Sequence, residues 1–204
     1  MKVWKKYEEY LMKGEWHVHT NYTDGRNSVD ELCKKAQNIG IPLIAFTEHV
    51  RKDLKYDFSS FLNDIDRAKE EYELILLSGC EAKVLPNGEL DVNPDILKEV
   101  EYPIFAFHAF PKSLDIYLDS LKQVLKNKYV CTWAHPGAFL KKEGLELPEK
   151  ELKTIFTLMN KKDILLEINK KYEVPKKKWK EIANEHNVQF VRGNDIHSKY
   201  KLKM

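Results

Sequence analysis

The stretch Gly14-Glu15-Trp16-His17-Val18-His19-Thr20, followed closely by Asp24-Gly25, organises this sequence. We interpret residues 15–20 as a short strand. Side chains alternate along a strand, so His17 and His19 point to the same face. A His-x-His pair at the end of a strand can present two imidazoles to one metal ion. The pair alone could also be accidental, and the rest of the chain decides between the two readings.

The chain around this stretch repeats a strand followed by a helix. We predict strands at 15–20, 43–47, 74–78, 102–107, 129–134, 163–168 and 188–191. We predict helices at 2–13, from a capping box at 28–31 to Gly40, and at 58–72, 114–126, 148–161 and 175–186, with a hairpin at 82–92 and a brief helix from Pro94. Strands that are apolar throughout and alternate with helices are typical of a parallel sheet covered by helices. Seven alternations predict an α/β fold, a distorted (β/α)7 TIM-like barrel, with an open doubly wound sheet as the alternative.

Histidines collect where the predicted strands end. Six of the seven lie at or just after a strand's carboxyl end, and they are His17, His19, His49, His108, His135 and His197. Three carboxylates follow the same pattern, and they are Asp24, Glu81 and Asp195. Barrels of this class carry their active sites at that rim. Nine such groups exceed what one four-coordinate ion needs, so we expect two to three divalent metal ions, with Zn²⁺, Mn²⁺ or Fe²⁺ suiting nitrogen and oxygen donors.

Composition bounds the class of protein. The 204 residues contain 43% hydrophobic and 32% charged residues, enough apolar material for one sizeable core under a charged surface. The net charge of +2 does not indicate an obligatory nucleic-acid partner. Cys33, Cys80 and Cys131 are too few and scattered for a disulfide framework, so we expect reduced core residues. Neither a signal-like segment nor a membrane-length apolar run occurs, and we expect a cytoplasmic protein with no membrane partner.

Taken in order, these motifs resemble those of the PHP (polymerase and histidinol phosphatase) family. The resemblance runs from about Gly14 to Ser198 and rests on His17-Val18-His19-Thr20 with Asp24-Gly25, Thr47-Glu48-His49, Gly79-Cys80-Glu81, His108, Ala134-His135-Pro136-Gly137 and Asp195-Ile196-His197. It implies a distorted seven-stranded barrel with a trinuclear metal centre that hydrolyses phosphoesters. It implies as metal ligands His17, His19, Asp24, His49, Glu81, His108, His135, Asp195 and His197, with Glu81 as the bridge. We expect one domain overall, a PHP-type domain at 14–204 preceded by a helical extension at 1–13.

From this set we predict attack on phosphorus by a metal-bound hydroxide held by Glu81, His17, His19 and Asp195. Glu48 could orient His49 from behind, or could simply be a solvated acid. Basic and amide side chains near the rim could bind the phosphate, and they are Arg26, Asn169, Lys170 and Arg192. The lysine clusters at 176–178 and 199–203 could touch nucleic acid, but a solvated surface explains them more simply.

Three functions remain open from the sequence. The favoured one is a phosphatase acting on phosphomonoesters of a small metabolite, such as histidinol phosphate or a nucleotide. The second is a phosphodiesterase or 3′–5′ exonuclease on nucleic acid, against which the balanced charge weighs modestly. The third is a metal-stabilised scaffold without catalysis, against which the intact ligand set argues. The sequence does not indicate an oligomeric state.

Overall fold

A computed structural model describes residues 1–203. The strands are β1 Glu15–Val18, β2 Leu43–Val50, β3 Ile75–Lys83, β4 Tyr102–Ala106, β5 Thr132–Trp133, β6 Leu165–Ile168 and β7 Phe190–Arg192. The α-helices are α1 Val29–Ile39, α2 Phe58–Glu71, α3 Ile96–Glu99, α4 Leu114–Val124, α5 Ala138–Glu143, α6 Glu149–Lys161 and α7 Lys177–Glu185. Two 3₁₀ helices span Val3–Tyr10 and Lys199–Lys201. Within residues 1–203, no helix combines the length and the apolar character that a membrane span requires.

All seven strands are parallel, and they lie in the sheet in the order in which they occur along the chain. The segment after β7 closes the barrel, because Val18 of β1 forms a parallel bridge with Ile196. The amide of His19 donates to the carbonyl of Ile196 over 2.8 Å, and the amide of Ile196 donates to the carbonyl of His17 over 2.9 Å. The distorted (β/α)7 barrel is therefore confirmed. The open doubly wound sheet is wrong, since it requires a reversal of strand order.

Two apolar layers hold the barrel together. The outer layer lies between the strands and the helices, and its helical members include Leu32 and Phe61, both fully buried. The inner layer fills the barrel beneath the rim and includes Trp16 and Tyr102, whose ring centroids are 5.0 Å apart. Because the barrel interior is packed with side chains, it is a core rather than a pore. All three cysteines are free and buried, as expected.

The N-terminal segment covers the opposite end of the barrel from the rim. Trp4 is buried against the inner layer, and its indole N–H donates to the carbonyl of Asp163 just before β6. The ammonium of Lys2 donates to the carbonyls of Lys128 and Val130 before β5. The helix predicted at 2–13 is a 3₁₀ helix over Val3–Tyr10 that is kinked at Tyr7.

Several boundaries differ from the sequence-based prediction for identifiable reasons. Strand β3 continues to Lys83, so Glu81 lies within a paired strand, and β2 likewise includes His49. Strand β5 has only two residues. The backbone N–H groups of Cys131 and Ala134, on either side of it, donate to carbonyls of β4 but are not part of the regular ladder. Helix α5 was not predicted, since its six residues give too little periodicity. The hairpin at 82–92 survives as a single antiparallel bridge beside a turn with Gly88 at φ +77°.

Candidate metal centre

The structure brings all nine predicted ligands to the carboxyl-terminal rim of the barrel. Three groups each offer ligand atoms within 4.8 Å of one another, and they are His19 with Asp24, His49 and His197; His17 with His19 and Asp195; and His49 with Glu81 and His108. His135 completes the set through its contact with Glu81. His19 and His49 each belong to two groups, so the three groups form one continuous cluster.

Glu81 occupies the middle of this cluster and is fully buried. Its Oε1 lies 2.8 Å from Nε2 of His135 and 3.3 Å from Nε2 of His108. Its Oε2 lies 2.9 Å from Nδ1 of His49 and 3.6 Å from Nε2 of both His17 and His19. The two oxygens thus face different imidazoles, which is the arrangement that a bridging carboxylate requires.

Asp195 connects the cluster to the surface. Its Oδ1 lies 3.1 Å from Nε2 of His19 and 3.6 Å from Nε2 of His17. Its Oδ2 accepts hydrogen bonds from the ammonium of Lys171 over 2.5 Å and from the hydroxyl of Tyr172 over 2.9 Å. One oxygen therefore points into the cluster, while two donors from the loop after β6 hold the other.

The position of the proton on the ring of His17 shows why these residues fit a cation. The carboxylate of Glu167 lies 2.7 Å from Nδ1 of His17, and because a carboxylate only accepts, Nδ1 carries the proton. In the neutral ring the lone pair is then on Nε2. Nε2 lies 3.0 Å from Nε2 of His19, so one of these two nitrogens donates to the other, and it lies 3.6 Å from carboxylate oxygens of Glu81 and Asp195.

His197 repeats the same arrangement at the outer edge. Its Nδ1 lies 2.9 Å from the backbone carbonyl of Asp195, which can only accept, so Nδ1 is the donor. Its Nε2 lies 3.1 Å from Oδ2 of Asp24, and because a carboxylate only accepts, Nε2 donates there in the place that a cation would take. Several buried atoms nearby have no hydrogen-bond partner within residues 1–203, namely Nδ1 of His19, Nδ1 of His49, Oε2 of Glu81 and Nε2 of His108. Imidazole nitrogens and carboxylate oxygens that converge in this way suit divalent cations, which would replace the protons that these groups share.

Charge interactions within the cluster shift the pKa values strongly. Burial lowers the pKa of His19 to about 4. Burial also acts against the charged form of His49, but the carboxylates of Asp24 and Glu81 outweigh it and raise the pKa of His49 to about 10. The surrounding imidazoles overcome burial and hold the pKa of Glu81 and of Asp195 well below the usual range of a carboxyl group. The acids are thus ionised and ready to accept a cation.

Backbone strain accompanies two of the predicted ligands. His135 has φ +32° and Asp195 has φ +52°, a region that residues with a Cβ rarely adopt. Such conformations persist only where the surroundings over-determine them, and they concentrate at functional sites. Both residues lie directly after barrel strands, where the chain turns away from the sheet.

Glu167 on β6 is the functional residue that the ligand prediction missed. Its carboxylate is buried and accepts from Nδ1 of His17, from the backbone N–H of His135 over 3.0 Å and from the side-chain amide of Asn169 over 2.7 Å. Gly193 makes room for it, since a Cβ there would lie 2.6 Å from Oε2 of Glu167. The available signal was its position on β6 two residues before Asn169, since side chains two residues apart lie on the same face of a strand.

Glu48 lies beside the cluster but does not orient His49. Its carboxylate accepts from the backbone N–H of Thr20 and from the hydroxyl of Thr23, and it is fully buried. It therefore holds the loop that carries Asp24. The solvated-acid interpretation of Glu48 is wrong.

The four predicted phosphate contacts have different fates. Arg26 is exposed beside the cluster, where its backbone N–H donates to the carbonyl of His197 over 2.9 Å, and Lys170 is exposed on the loop after β6. Asn169 is buried, because its amide supports Glu167 and accepts from the backbone of Tyr172. The structure does not bring Arg192 to the cluster, since its guanidinium contacts Glu15 and the carbonyl of Lys203.

A cleft of about 810 Å³ opens beside the cluster. His108 and His135 form part of its wall, and the remainder comes from Phe107 and Ala109 after β4, from α5 and from the loop after β6. The cluster is therefore reachable from solvent by a small molecule.

Comparison with known proteins agrees with this geometry. The chain is 28% identical over 199 residues to the DNA polymerase/3′-5′ exonuclease PolX of Bacillus subtilis. The matched region covers 92% of this chain but only 34% of PolX. It is 28% identical over 200 residues to a probable phosphatase of Acetivibrio thermocellus, covering 91% of this chain and 80% of that one. The chain thus spans about a third of the PolX relative's length.

Solved structures share the fold. A candidate histidinol phosphatase of Listeria monocytogenes superposes with a TM-score of 0.71 at 18% identity, over 92% of this chain and 96% of that one. The histidinol phosphate phosphatase of Lactococcus lactis, solved with zinc, L-histidinol and phosphate, gives a TM-score of 0.67 at 16% identity, over 93% and 88% of the two chains. The family model of the PHP domain matches residues 15–171. The chain belongs to the PHP domain family.

Proposed function

We propose that this chain is a metal-dependent phosphoric ester hydrolase that acts on phosphomonoesters of small molecules. The convergence of six imidazoles and three carboxylates at one rim, with ligand atoms within 4.8 Å of one another in each of three groups, carries this proposal. Membership of the PHP family and the similarity to a probable phosphatase support the reaction class. The nine-residue ligand set is part of the proposal.

Three groups of ligands offer places for two to three divalent ions. Glu81 would be shared between ions, because its two oxygens face different imidazoles. Zinc in the structure of the Lactococcus lactis protein supports zinc here, while manganese and iron suit the same donors. When bound, such ions supply Lewis acidity, which lowers the pKa of water and draws charge from the phosphoryl oxygens.

The chain's own residues prepare the site for that chemistry. Glu167 keeps the proton of His17 on Nδ1, so Nε2 stays free to bind a cation. Lys171 and Tyr172 hold one oxygen of Asp195, which fixes the direction of the other. Exposed cations at the rim, Arg26 and Lys170, are proposed to contact the phosphate oxygens.

The substrate is proposed to be small. The structure of the Lactococcus lactis protein holds L-histidinol and phosphate, which supports a small phosphorylated metabolite for this chain. Histidinol phosphate and nucleotides are the two candidate classes. The volume of the cleft, about 810 Å³, is of the size that protein pockets use for such ligands.

Phosphodiester cleavage is the second candidate, and the similarity to PolX favours it. The charges of this chain give it less support. Lys176 pairs with Glu146, Lys178 with Glu149 over 2.8 Å, and Lys199 with Glu31 over 2.5 Å, so these lysines do not form a free basic surface. A third possibility, a scaffold without catalysis, fits poorly with a cleft that opens onto the cluster.

One experiment separates these functions. Protein reconstituted with Mn²⁺ or Zn²⁺ is given histidinol phosphate and 3′- and 5′-nucleotides, beside an end-labelled oligonucleotide, and Glu81→Gln serves as the inactive control. We expect phosphate release and an intact oligonucleotide. Shortening of the oligonucleotide would favour the nuclease. If neither phosphate release nor cleavage occurs while the metals are bound, the scaffold would be favoured.

A further inference from the structure

The cleft beside the metal centre carries a concentration of positive charge. Lys141 and Lys142 from α5 and Lys171 from the loop after β6 line it, against a single carboxylate, Glu173. His108 at the inner end belongs to the metal centre. A phosphoester bound at the metals would therefore extend its leaving group between these lysines.

The three ammonium groups are not equivalent. Lys171 is held by Asp195 at the metal end. Lys141 donates to Glu173 and to the carbonyl of Tyr172, each over 3.1 Å, and so fastens the loop after β6 onto α5. Lys142 is exposed and has no ion pair with any of residues 1–203. It is thus the cation that remains available to a ligand.

The rest of the cleft wall is apolar and aromatic. Phe107, Phe139 and two alanines line it, and the ring of Tyr172 lies with its centroid 5.2 Å from that of His135. Flat apolar bodies pack well against such walls. The cleft therefore combines a surface for a flat group with an unpaired cation near it.

We propose that this cleft selects leaving groups that carry a second anionic group on a flat apolar body, and that Lys142 is the specificity-determining cation. The inference rests on the proposed phosphomonoesterase function and narrows its substrate class. It favours bisphosphorylated or carboxylated esters over a leaving group with a free amine, such as that of histidinol phosphate. Like charges placed in the same cleft would repel, which adds to the discrimination.

Four esters with one common body test this selection. They are phenyl phosphate and its 4-carboxymethyl, 4-phosphonomethyl and 4-aminomethyl derivatives, in which a methylene keeps the charge away from the reacting oxygen. We expect kcat/KM of the metal-loaded protein to rise about fivefold for an anionic ester and to fall about fivefold for the amine, the upper range for an exposed ion pair. The two anions tell a carboxylate-binding cleft from a phosphate-binding one.

Variants at Lys142 locate the effect. Lys142→Met is expected to bring the ratio of anionic to neutral ester close to one, and Lys142→Glu to invert it in favour of the amine. Lys150→Met is the matched control, because Lys150 is exposed on α6 and does not line the cleft. The ratio should also fall as salt is raised, since exposed charges are screened.

The outcomes keep the two proposals apart. Equal kcat/KM for all four esters, or a preference for the amine, would overturn the cleft assignment while leaving the phosphomonoesterase intact. If the metal-loaded protein hydrolyses none of these esters and releases no phosphate from histidinol phosphate or the nucleotides, the phosphomonoesterase is refuted. Calorimetric Kd values for the same esters then decide on the cleft, since equal binding of anion and amine overturns it and an anionic preference lost in Lys142→Glu supports it.

Discussion

Glu167→Gln tests the proton bookkeeping at the metal centre. The carboxylate of Glu167 accepts three hydrogen bonds, from His17, from the backbone of His135 and from Asn169. Glutamine has nearly the same volume but replaces one of the two acceptor oxygens with a donor NH₂. The variant therefore changes hydrogen-bond polarity with little change in packing.

The amide faces a conflict that the carboxylate does not. If its NH₂ turns toward His17, Nδ1 must become the acceptor and the proton moves to Nε2, which removes the lone pair from the cluster. If its oxygen stays on His17, the NH₂ meets the N–H groups of His135 and Asn169. Losing a partner of this kind typically costs about 10–100-fold in metal affinity. That is about 1.4–2.7 kcal/mol at ~1.36 kcal/mol per decade.

Competition titration with a chromophoric chelator measures the Zn²⁺ affinity of the two proteins. Nitrogen-15 spectra of the imidazoles in zinc-loaded protein report which nitrogen of His17 keeps its proton, which a general loss of stability would not change. Glu151→Gln is the control, because Glu151 is a half-buried carboxylate on α6 that pairs with Lys122 and is not part of the cluster. Zinc affinity within twofold of wild type, with His17 still protonated at Nδ1, would refute the assignment.

Four further results are expected. Glu48→Gln frees the loop that carries Asp24 and lowers the number of ions held, counted by elemental analysis, without unfolding the barrel. Gly193→Ala pushes the carboxylate of Glu167 aside, since the new Cβ would lie 2.6 Å from it, and so weakens zinc binding. Adding Glu167→Gln to this variant is expected to cause no further loss of zinc affinity, because both changes act through the same carboxylate. Trp4→Ala lowers the free energy of unfolding by about 3–5 kcal/mol in denaturant titrations, while the metal content stays at the wild-type value. Chelation of the metals lowers Tm, and the free energy of unfolding falls by about 2.7 kcal/mol for each site whose free metal concentration had been 100 times its Kd. Rebinding of the metals releases protons, and the metal affinity weakens as the pH falls.

The fold and the meeting of the ligands could be predicted because parallel strands share a direction. Once 43–47, 102–107 and the other apolar runs are strands separated by helices, their carboxyl ends must meet at one end of the sheet. Residues as distant as His19 and His197 then become neighbours, and their ring centroids lie 4.6 Å apart. The boundaries were less predictable, since β3 runs past Glu81 by pairing with β2 and β4, which local sequence does not record.

The carboxylates that support the ligands show where such reasoning ends. The adjacency of Glu48 and His49 leaves open whether Glu48 orients that ring or is a solvated acid, but neighbours on a strand point to opposite faces, so Glu48 reaches the loop after β1 instead. Glu167 is 150 positions from His17, yet β6 turns it into the rim where it meets that imidazole. A predicted ligand can be recognised from the pattern of its own strand. The group that determines which ring nitrogen of that ligand is protonated lies on another strand of the barrel. Searches for such partners in related sequences should therefore examine inward positions of strands that provide no ligand.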